Sequence, residues 1–274
     1  MPKIDILMPG SSVNSDQGII GFCAVILIEG TRRVLFDSAH VGRRTLLLEQ
    51  LRRRGLTPKD IDVQVLSHAH WDHVQNVDVF GHAPLLLHPL ERAYARNPHP
   101  NDWATPQWTG AVLELYKLEE VGEGYEIMPG CRVIELPGHS PGSIGLEVMT
   151  DQGRCVLTGD AIHNANVALM GASPLVFWDV EQADASIRRC LEMDAIIYPG
   201  HDRPFRIDDG RVQYCDEFHF GISGVTADTP GLEFIGVGPS YITGGPEGWA
   251  KGGGKRWVMP GIEEQHSRIQ PLGR

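Results

Sequence analysis

Short apolar runs separated by turn residues fill the first third of the chain. Ile4 to Met8, Ile19 to Ile28 and Arg33 to Asp37 read as strands, bounded by Pro9-Gly10 and by Glu29-Gly30-Thr31. Leu46, Leu47 and Leu51 then recur at helical spacing, which predicts an amphipathic helix over Thr45 to Arg54 with Gly55 in the stop position. Thr57-Pro58-Lys59-Asp60 opens a short turn or helix, and Val63, Val65 and Leu66 mark a strand over Asp62 to Ser67.

A second round follows the same logic. Leu85-Leu86-Leu87 has the continuous apolar character of a buried strand, Pro89 to Arg96 reads as a helix, and Asn97 to Trp108 as a loop bearing Pro and Trp. Strands are predicted at Glu126-Ile127-Met128, Cys131 to Leu136, Ser143 to Met149 and Arg154 to Leu157. A helix over Glu181 to Met193 and a core strand over Ala195 to Tyr198 complete the pattern. Two groups of strands with interspersed helices suggest packed sheets covered by helices, an α+β arrangement.

From about Asp208 the patterning stops. Fourteen of the 32 glycines lie between Gly210 and the end, with Pro230, Pro239, Pro246, Pro260 and Pro271 among them. Such a stretch is not expected to form a regular helix or a strand pair. Its aromatic residues Phe218, Phe220, Phe234, Tyr241, Trp249 and Trp257 argue that it packs on something. We therefore divide the chain into a domain over residues 1–207 and an extension over residues 208–274 that wraps the domain, forms a homodimer contact or is partly mobile.

The 274 residues are 42% hydrophobic and 22% charged, a globular balance with enough chain for a sizeable core. A formal net charge of −11 disfavours nucleic acid as a partner, because phosphate backbones are repelled. Arg52, Arg53 and Arg54 form the one basic cluster, read as the solvated end of a helix. Cys23, Cys131, Cys155, Cys190 and Cys215 are odd in number and show no C-x-x-C spacing, as reduced thiols would. With no apolar leader and no membrane-length run, a cytoplasmic protein without membrane contact is expected.

The candidate chemistry sits in Ser67-His68-Ala69-His70-Trp71-Asp72-His73, directly after a predicted strand. Three imidazoles and a carboxylate in six residues form a dense set of nitrogen and oxygen donors, suited to zinc, iron or manganese, with no thiolate for a structural zinc site. His139 in Pro137-Gly138-His139, Asp160 in Thr158-Gly159-Asp160 and His201 in Pro199-Gly200-His201 each end an apolar strand beside a glycine, which lets the backbone approach a metal closely. Ligands on loops at strand ends gather at one sheet edge, where active sites usually form.

The order H-x-H-x-D-H followed by His, Asp and His resembles the metallo-β-lactamase superfamily over residues 1 to about 207. That resemblance implies an αβ/βα sandwich of two mixed sheets between outer helices. It assigns His68, His70 and His139 to a first metal and Asp72, His73 and His201 to a second, with Asp160 bridging them. It also implies that Asp37 orients a ligand histidine from behind. The implied cofactor is a pair of divalent ions, zinc first, with iron or manganese as alternatives. The implied mechanism uses a metal-bridging hydroxide, with Asp72 or the hydroxide's own environment handling the proton.

An aspartate at position 160 in place of a cysteine ligand, and the lack of an inserted domain, resemble lactonases and glyoxalase II-like hydrolases. Val74-Gln75-Asn76 after the motif departs from the Gly-Gly usual in both. Residues 55–80 and 199–207 also resemble small animal metallo-β-lactamase domain proteins associated with RNA cleavage. The leading expectation is a small-molecule substrate of lactone or ester type. The alternatives are an RNA-cleaving phosphodiesterase and a metal-binding sensor without catalysis. His163 stands where lactonases place a tyrosine, so it reads either as a donor to the developing oxyanion or as an exposed loop histidine. Trp71, Trp103, Trp108, Phe177 and Trp178 are candidates for an apolar pocket wall or for ordinary core. His40, His82, His88, His99, His219 and His266 have no spacing that singles them out.

Overall fold

The computed structural model describes residues 1–15, 18–217, 219, 256–266 and 269. The first half of the chain supplies β1 (Lys3–Met8), β2 (Ser11–Ser15), β3 (Gly18–Phe22), β4 (Val25–Glu29), β5 (Arg33–Phe36), β6 (Val63–Val65), β7 (Leu85–Leu87) and β8 (Leu118–Glu120). The second half supplies β9 (Glu126–Met128), β10 (Cys131–Glu135), β11 (Ile144–Thr150), β12 (Gly153–Gly159), β13 (Leu175–Val176), β14 (Ile196–Pro199), β15 (Phe205–Asp208), β16 (Arg211–Tyr214) and β17 (Trp257–Val258). The helices are α1 (Arg44–Arg53), α2 (Trp71–Val74), α3 (Pro89–Arg96), α4 (Thr109–Leu113), α5 (Ala165–Met170), α6 (Val180–Glu192) and α7 (Ile262–His266).

Two mixed sheets carry the fold, ordered β1-β4-β5-β6-β7-β8 and β16-β15-β14-β12-β11-β10-β9. Side-chain alternation explains how they stack. Along β4 and β5, Ile26, Ile28, Val34 and Phe36 face one way and meet Leu146, Val148, Cys155 and Leu157 of the other sheet. Val25, Leu27 and Leu35 face the opposite way and meet Leu47 and Leu51 of α1. On the outer face of the second sheet, Val156 and Ile197 meet Ile187 and Cys190 of α6. Strands buried on both faces require four layers, helix–sheet–sheet–helix, as expected of the sandwich. Each large apolar side chain enclosed this way contributes about 1.5–3 kcal/mol.

The helix ends follow local chemistry. The His88 ring accepts the Leu90 amide ahead of Pro89, and the Asp179 carboxylate accepts the Gln182 amide at the start of α6. Past α1, Gly55 takes a φ of 71°, the left-handed stop that its position predicted. Arg52 and Arg53 lie on the surface against Glu49, while Arg54 reaches back to Asp5.

Two expectations are corrected. Ile19 to Ile28 is not one strand: among the described residues β3 pairs with β2 alone, whereas β4 pairs with β1 and β5. The chain breaks between them because the Ala24 amide donates to Gly200 instead of to a neighbouring strand. The extension is also not free of strand pairing. Strand β16 forms a hairpin with β15, β17 lies parallel to β13, and α7 follows. Of the tail aromatics, Trp257 packs against Phe177 and Trp103, while Phe218, Phe220, Phe234, Tyr241 and Trp249 lie outside the described residues.

Strand direction decides where the loops converge. β5 and β6 are parallel, as are β12 and β14, so the segments leaving them emerge at one edge of the sandwich. Asp37, His68, Asp160 and His201 all lie just past those strands.

Candidate metal centre

The loop after β6 runs through His68 and His70 into α2, whose single turn carries Asp72 and His73. His139 follows β10, Asp160 follows β12 and His201 follows β14. These seven side chains come together in two buried groups, His68, His70, His139 and Asp160 in one, and Asp72, His73 and His201 in the other. Within each group the donor atoms lie within 4.8 Å of one another. Asp160 stands between the groups. One of its oxygens is 3.6 Å from His139 Nε2, and the other is 3.3 Å from His73 Nε2 and 3.2 Å from His201 Nε2.

The donor chemistry fits cations. Nε2 of His68, His70 and His73 and Oδ1 of Asp160 are buried without a hydrogen-bond partner among the described residues, an arrangement that costs roughly 1–3 kcal/mol per group unless a ligand satisfies it. Three of the rings are anchored on their far side. Asp37 lies 2.8 Å from His73 Nδ1, Leu175 O lies 3.0 Å from His139 Nδ1, and Ser67 Oγ lies 2.9 Å from His68 Nδ1. Such contacts leave Nε2 of His68 and His73 free to coordinate, while His139 Nε2 lies 3.1 Å from His70 Nδ1.

Burial lowers the pKa of His68 and His70 well below the ordinary histidine value and lowers that of His139 as well. Neutral rings with free lone pairs are what metal ligation needs. Burial opposes the charged form of Asp160 too, but His201, His163 and His73 around it outweigh that and hold its carboxyl well below the usual range. For His201 the same balance runs in reverse: Asp160 and Asp72 outweigh burial and raise it.

A cavity of about 50 Å³ opens over the cluster, bounded also by Trp71, Trp103, His163, Leu175, Phe177 and Gly21. That volume admits the reacting group of a small molecule and little more. His163 is 7% exposed, which removes the reading of an exposed loop histidine. Both its ring nitrogens lack a hydrogen-bond partner among the described residues, although Nε2 is 3.3 Å from Asp160, and burial lowers its pKa to about 3, so the ring is neutral at pH 7.

The aromatic candidates divide. Phe177 packs edge-on to His70 at 4.5 Å and to His139 at 5.3 Å, with Trp103 behind it. Trp71 also lines the cavity. Trp108 does not, because it borders a separate groove with Val41 and Val112. Trp178 is turned away toward Tyr94 and His266. His40, which spacing did not single out, packs on Trp71 at 5.4 Å.

Sequence reasoning missed Glu91 and the role of Trp257. An acidic residue on the same helix face as Tyr94 and Ala95, three and four positions on, was the available signal for Glu91. The five thiols are free, with Cys215 exposed and the other four buried, as their spacing suggested. No helix among the described residues is long and apolar enough to cross a membrane.

A family model described as "Metallo-beta-lactamase superfamily" matches residues 18–201. The chain is 32% identical over 188 residues to metallo-beta-lactamase domain-containing protein 1 of Xenopus laevis, covering 67% of this chain and 72% of that protein. It is 29% identical over 206 residues to an N-acyl homoserine lactonase of Bacillus thuringiensis, covering 73% and 75%. Among solved structures, a metallo-beta-lactamase from Thermotoga maritima superposes with a TM-score of 0.60 at 20% identity, covering 75% of this chain and 99% of that one. B. thuringiensis AiiA with N-decanoyl-L-homoserine bound superposes with the same TM-score of 0.60 at 22% identity, covering 73% and 92%. At those identities the structural matches establish the fold.

Proposed function

Because the chain belongs to the metallo-beta-lactamase superfamily, we propose that it is a binuclear metal-dependent hydrolase acting on a small lactone or ester-like substrate. The observation that carries this reading is the convergence of seven buried donor side chains, of which His68, His70 and His73 Nε2 and Asp160 Oδ1 have no hydrogen-bond partner among the described residues. His68, His70 and His139 would hold one cation, Asp72, His73 and His201 the other, and Asp160 would reach both. Two bound cations, zinc first and iron or manganese as alternatives, would supply an acidified water and Lewis-acid polarisation of the substrate carbonyl.

The chain's own residues provide the rest. Neutral His163 lines the cavity and would donate an N–H to the oxygen on which negative charge develops. Asp72 also lines it and would take up the proton released by the attacking water. Phe177 and Trp71 exclude bulk water and offer an apolar surface to the substrate's carbon skeleton. The substrate class draws support from the N-acyl homoserine lactonase relatives and from the small cavity walled by aromatic side chains.

The test is metal analysis of the purified protein, followed by assays on lactone, ester, thioester and phosphodiester substrates. Two metal equivalents with lactone or ester turnover are expected, both abolished in His68→Ala and Asp160→Ala. His163→Ala should keep its metals and lose about 10²–10³ in kcat. Turnover of phosphodiesters alone, or inertness of the metal-loaded protein across all four classes, would reject the proposal.

A further inference from the structure

His68 and His70 lie on one loop and His139 on another, contributed by different sheets. Their nitrogens meet only if the two loops keep a fixed register. Glu91, on α3, touches both loops. Its carboxylate accepts the Ala69 amide at 2.8 Å, the Gly142 amide at 2.8 Å and the Ser140 hydroxyl at 2.7 Å. Ala69 sits between His68 and His70, and Ser140 directly follows His139.

Glu91 is fully buried, and no Lys, Arg or His ion pair to it is found among the described residues. Burial pushes its carboxyl up to about 7 even though three donors favour the ionised form. Placing a carboxylate here is costly, since a neutral acceptor would satisfy two amides at a smaller desolvation penalty. The second loop is shaped to meet it: a Cβ on Gly142 would fall 2.4 Å from the Glu91 amide nitrogen and 2.7 Å from its Cβ. Only glycine permits that approach.

We propose that Glu91 is a positioning residue for the metal centre, a single latch that fixes the His68–His70 loop against the His139 loop so that their three imidazoles present one ligand face. The inference rests on the reading of the cluster as a metal site. It differs from the Asp37 contact, which bonds a candidate ligand ring directly, because the three donors to Glu91 are two backbone amides and the Ser140 hydroxyl.

The experiment is a chelator titration of zinc-loaded wild type, Glu91→Gln and Ser140→Ala, with melting curves of the zinc-free forms alongside. Glu91→Gln keeps the shape but turns an NH₂ toward a donor. It should weaken one of the two zinc equivalents by about 10–100-fold and leave the other nearly unchanged. Ser140→Ala removes one of the three donors and should weaken the same equivalent to a smaller extent. Equal zinc retention in folded Glu91→Gln and wild type overturns the inference, as does a lower melting temperature with unchanged zinc affinity, which would mark a purely structural residue. Should Glu91→Gln fail to fold, Ser140→Ala decides, and unchanged affinity there overturns it. Wild type that binds no zinc, iron or manganese would reject the metal reading and this inference with it.

Discussion

Asp37 Oδ2 lies 2.8 Å from His73 Nδ1, and the same carboxylate accepts the amide and the hydroxyl of Ser67, each at 2.8 Å. One side chain from the end of β5 therefore orients a ring in the second ligand group and fixes the loop that carries the first. It does so from a strained backbone, with φ at 60° in a residue that is not glycine. Strain of that kind, of order 1–3 kcal/mol, persists where surrounding contacts over-determine the conformation.

Asp37→Asn should accordingly cost metal more than fold. The amide can still accept the Ser67 amide, but it cannot accept from both Ser67 and an Nδ1–H of His73 while keeping its NH₂ clear of donors. A loss of about 10–100-fold in metal affinity is expected. Chelator competition measures it, and an affinity within twofold of wild type would show that Asp37 does not orient the ring.

Gly200 tests the close approach next to Asp160. A Cβ there would fall 2.1 Å from Asp160 Oδ1 and 2.9 Å from the Gly159 carbonyl carbon and oxygen. Gly200→Ala must displace the carboxylate that stands between the two groups. We expect about 1–3 kcal/mol of destabilisation together with loss of turnover. Wild-type kcat in a folded Gly200→Ala protein would mean that Asp160 tolerates displacement.

The ligand candidates were legible in the sequence because each lies in the segment that follows an apolar strand, in stretches rich in His, Asp and Gly. The layers were legible because β4, β5 and β12 are apolar on both faces. The break at Cys23-Ala24 was not, since Ile19 to Ile28 is apolar throughout and its division depends on where the Ala24 amide finds an acceptor, Gly200, far along the chain. Glu91 escaped for a related reason: its partners are backbone amides of two distant loops, which no local period records. The short strands β13 and β17 pair across residues that composition marks as irregular, and only tertiary contact makes them strands.

That pairing supports the cavity wall. The Trp257 amide donates to Pro174 O and the Met259 amide to Val176 O, both at 2.9 Å, and the Trp257 ring packs on Phe177 at 4.7 Å. Trp257→Ala should remove the backing of Phe177 and lower the melting temperature by several degrees, at about 2–4 °C per kcal/mol for a chain of this size class. KM for the substrate should rise more than kcat falls, with metal content unchanged. A change confined to kcat, or loss of metal, would show that the extension acts on the ligands and not on the wall.

Metal removal provides a thermodynamic check that does not depend on knowing the substrate. A ligand that binds only the native chain stabilises it by about 2.7 kcal/mol at a free concentration of 100 Kd. Chelator-treated protein should therefore melt several degrees lower than loaded protein and recover when zinc is restored. A melting temperature indifferent to chelator and to added zinc, iron and manganese would argue against metal binding.

Acid stability offers a last test, away from the cluster. His88 caps α3 through Nδ1 and meets Glu135 with Nε2 at 3.1 Å, and burial lowers its pKa although Glu135 and Glu120 oppose the shift. A histidine whose folded pKa lies below its unfolded value, about 6.5, binds fewer protons folded than unfolded between those two values. Stability then falls as pH drops below about 6.5, and the loss is complete once pH passes the folded pKa. His88→Asn keeps a capping oxygen for the Leu90 amide and removes the titrating group. Between pH 7.5 and 5.5 the wild type should lose more melting temperature than the variant. Parallel losses would mean that the folded protein protonates His88 as readily as the unfolded chain does, and that burial at the head of α3 does not hold the ring neutral.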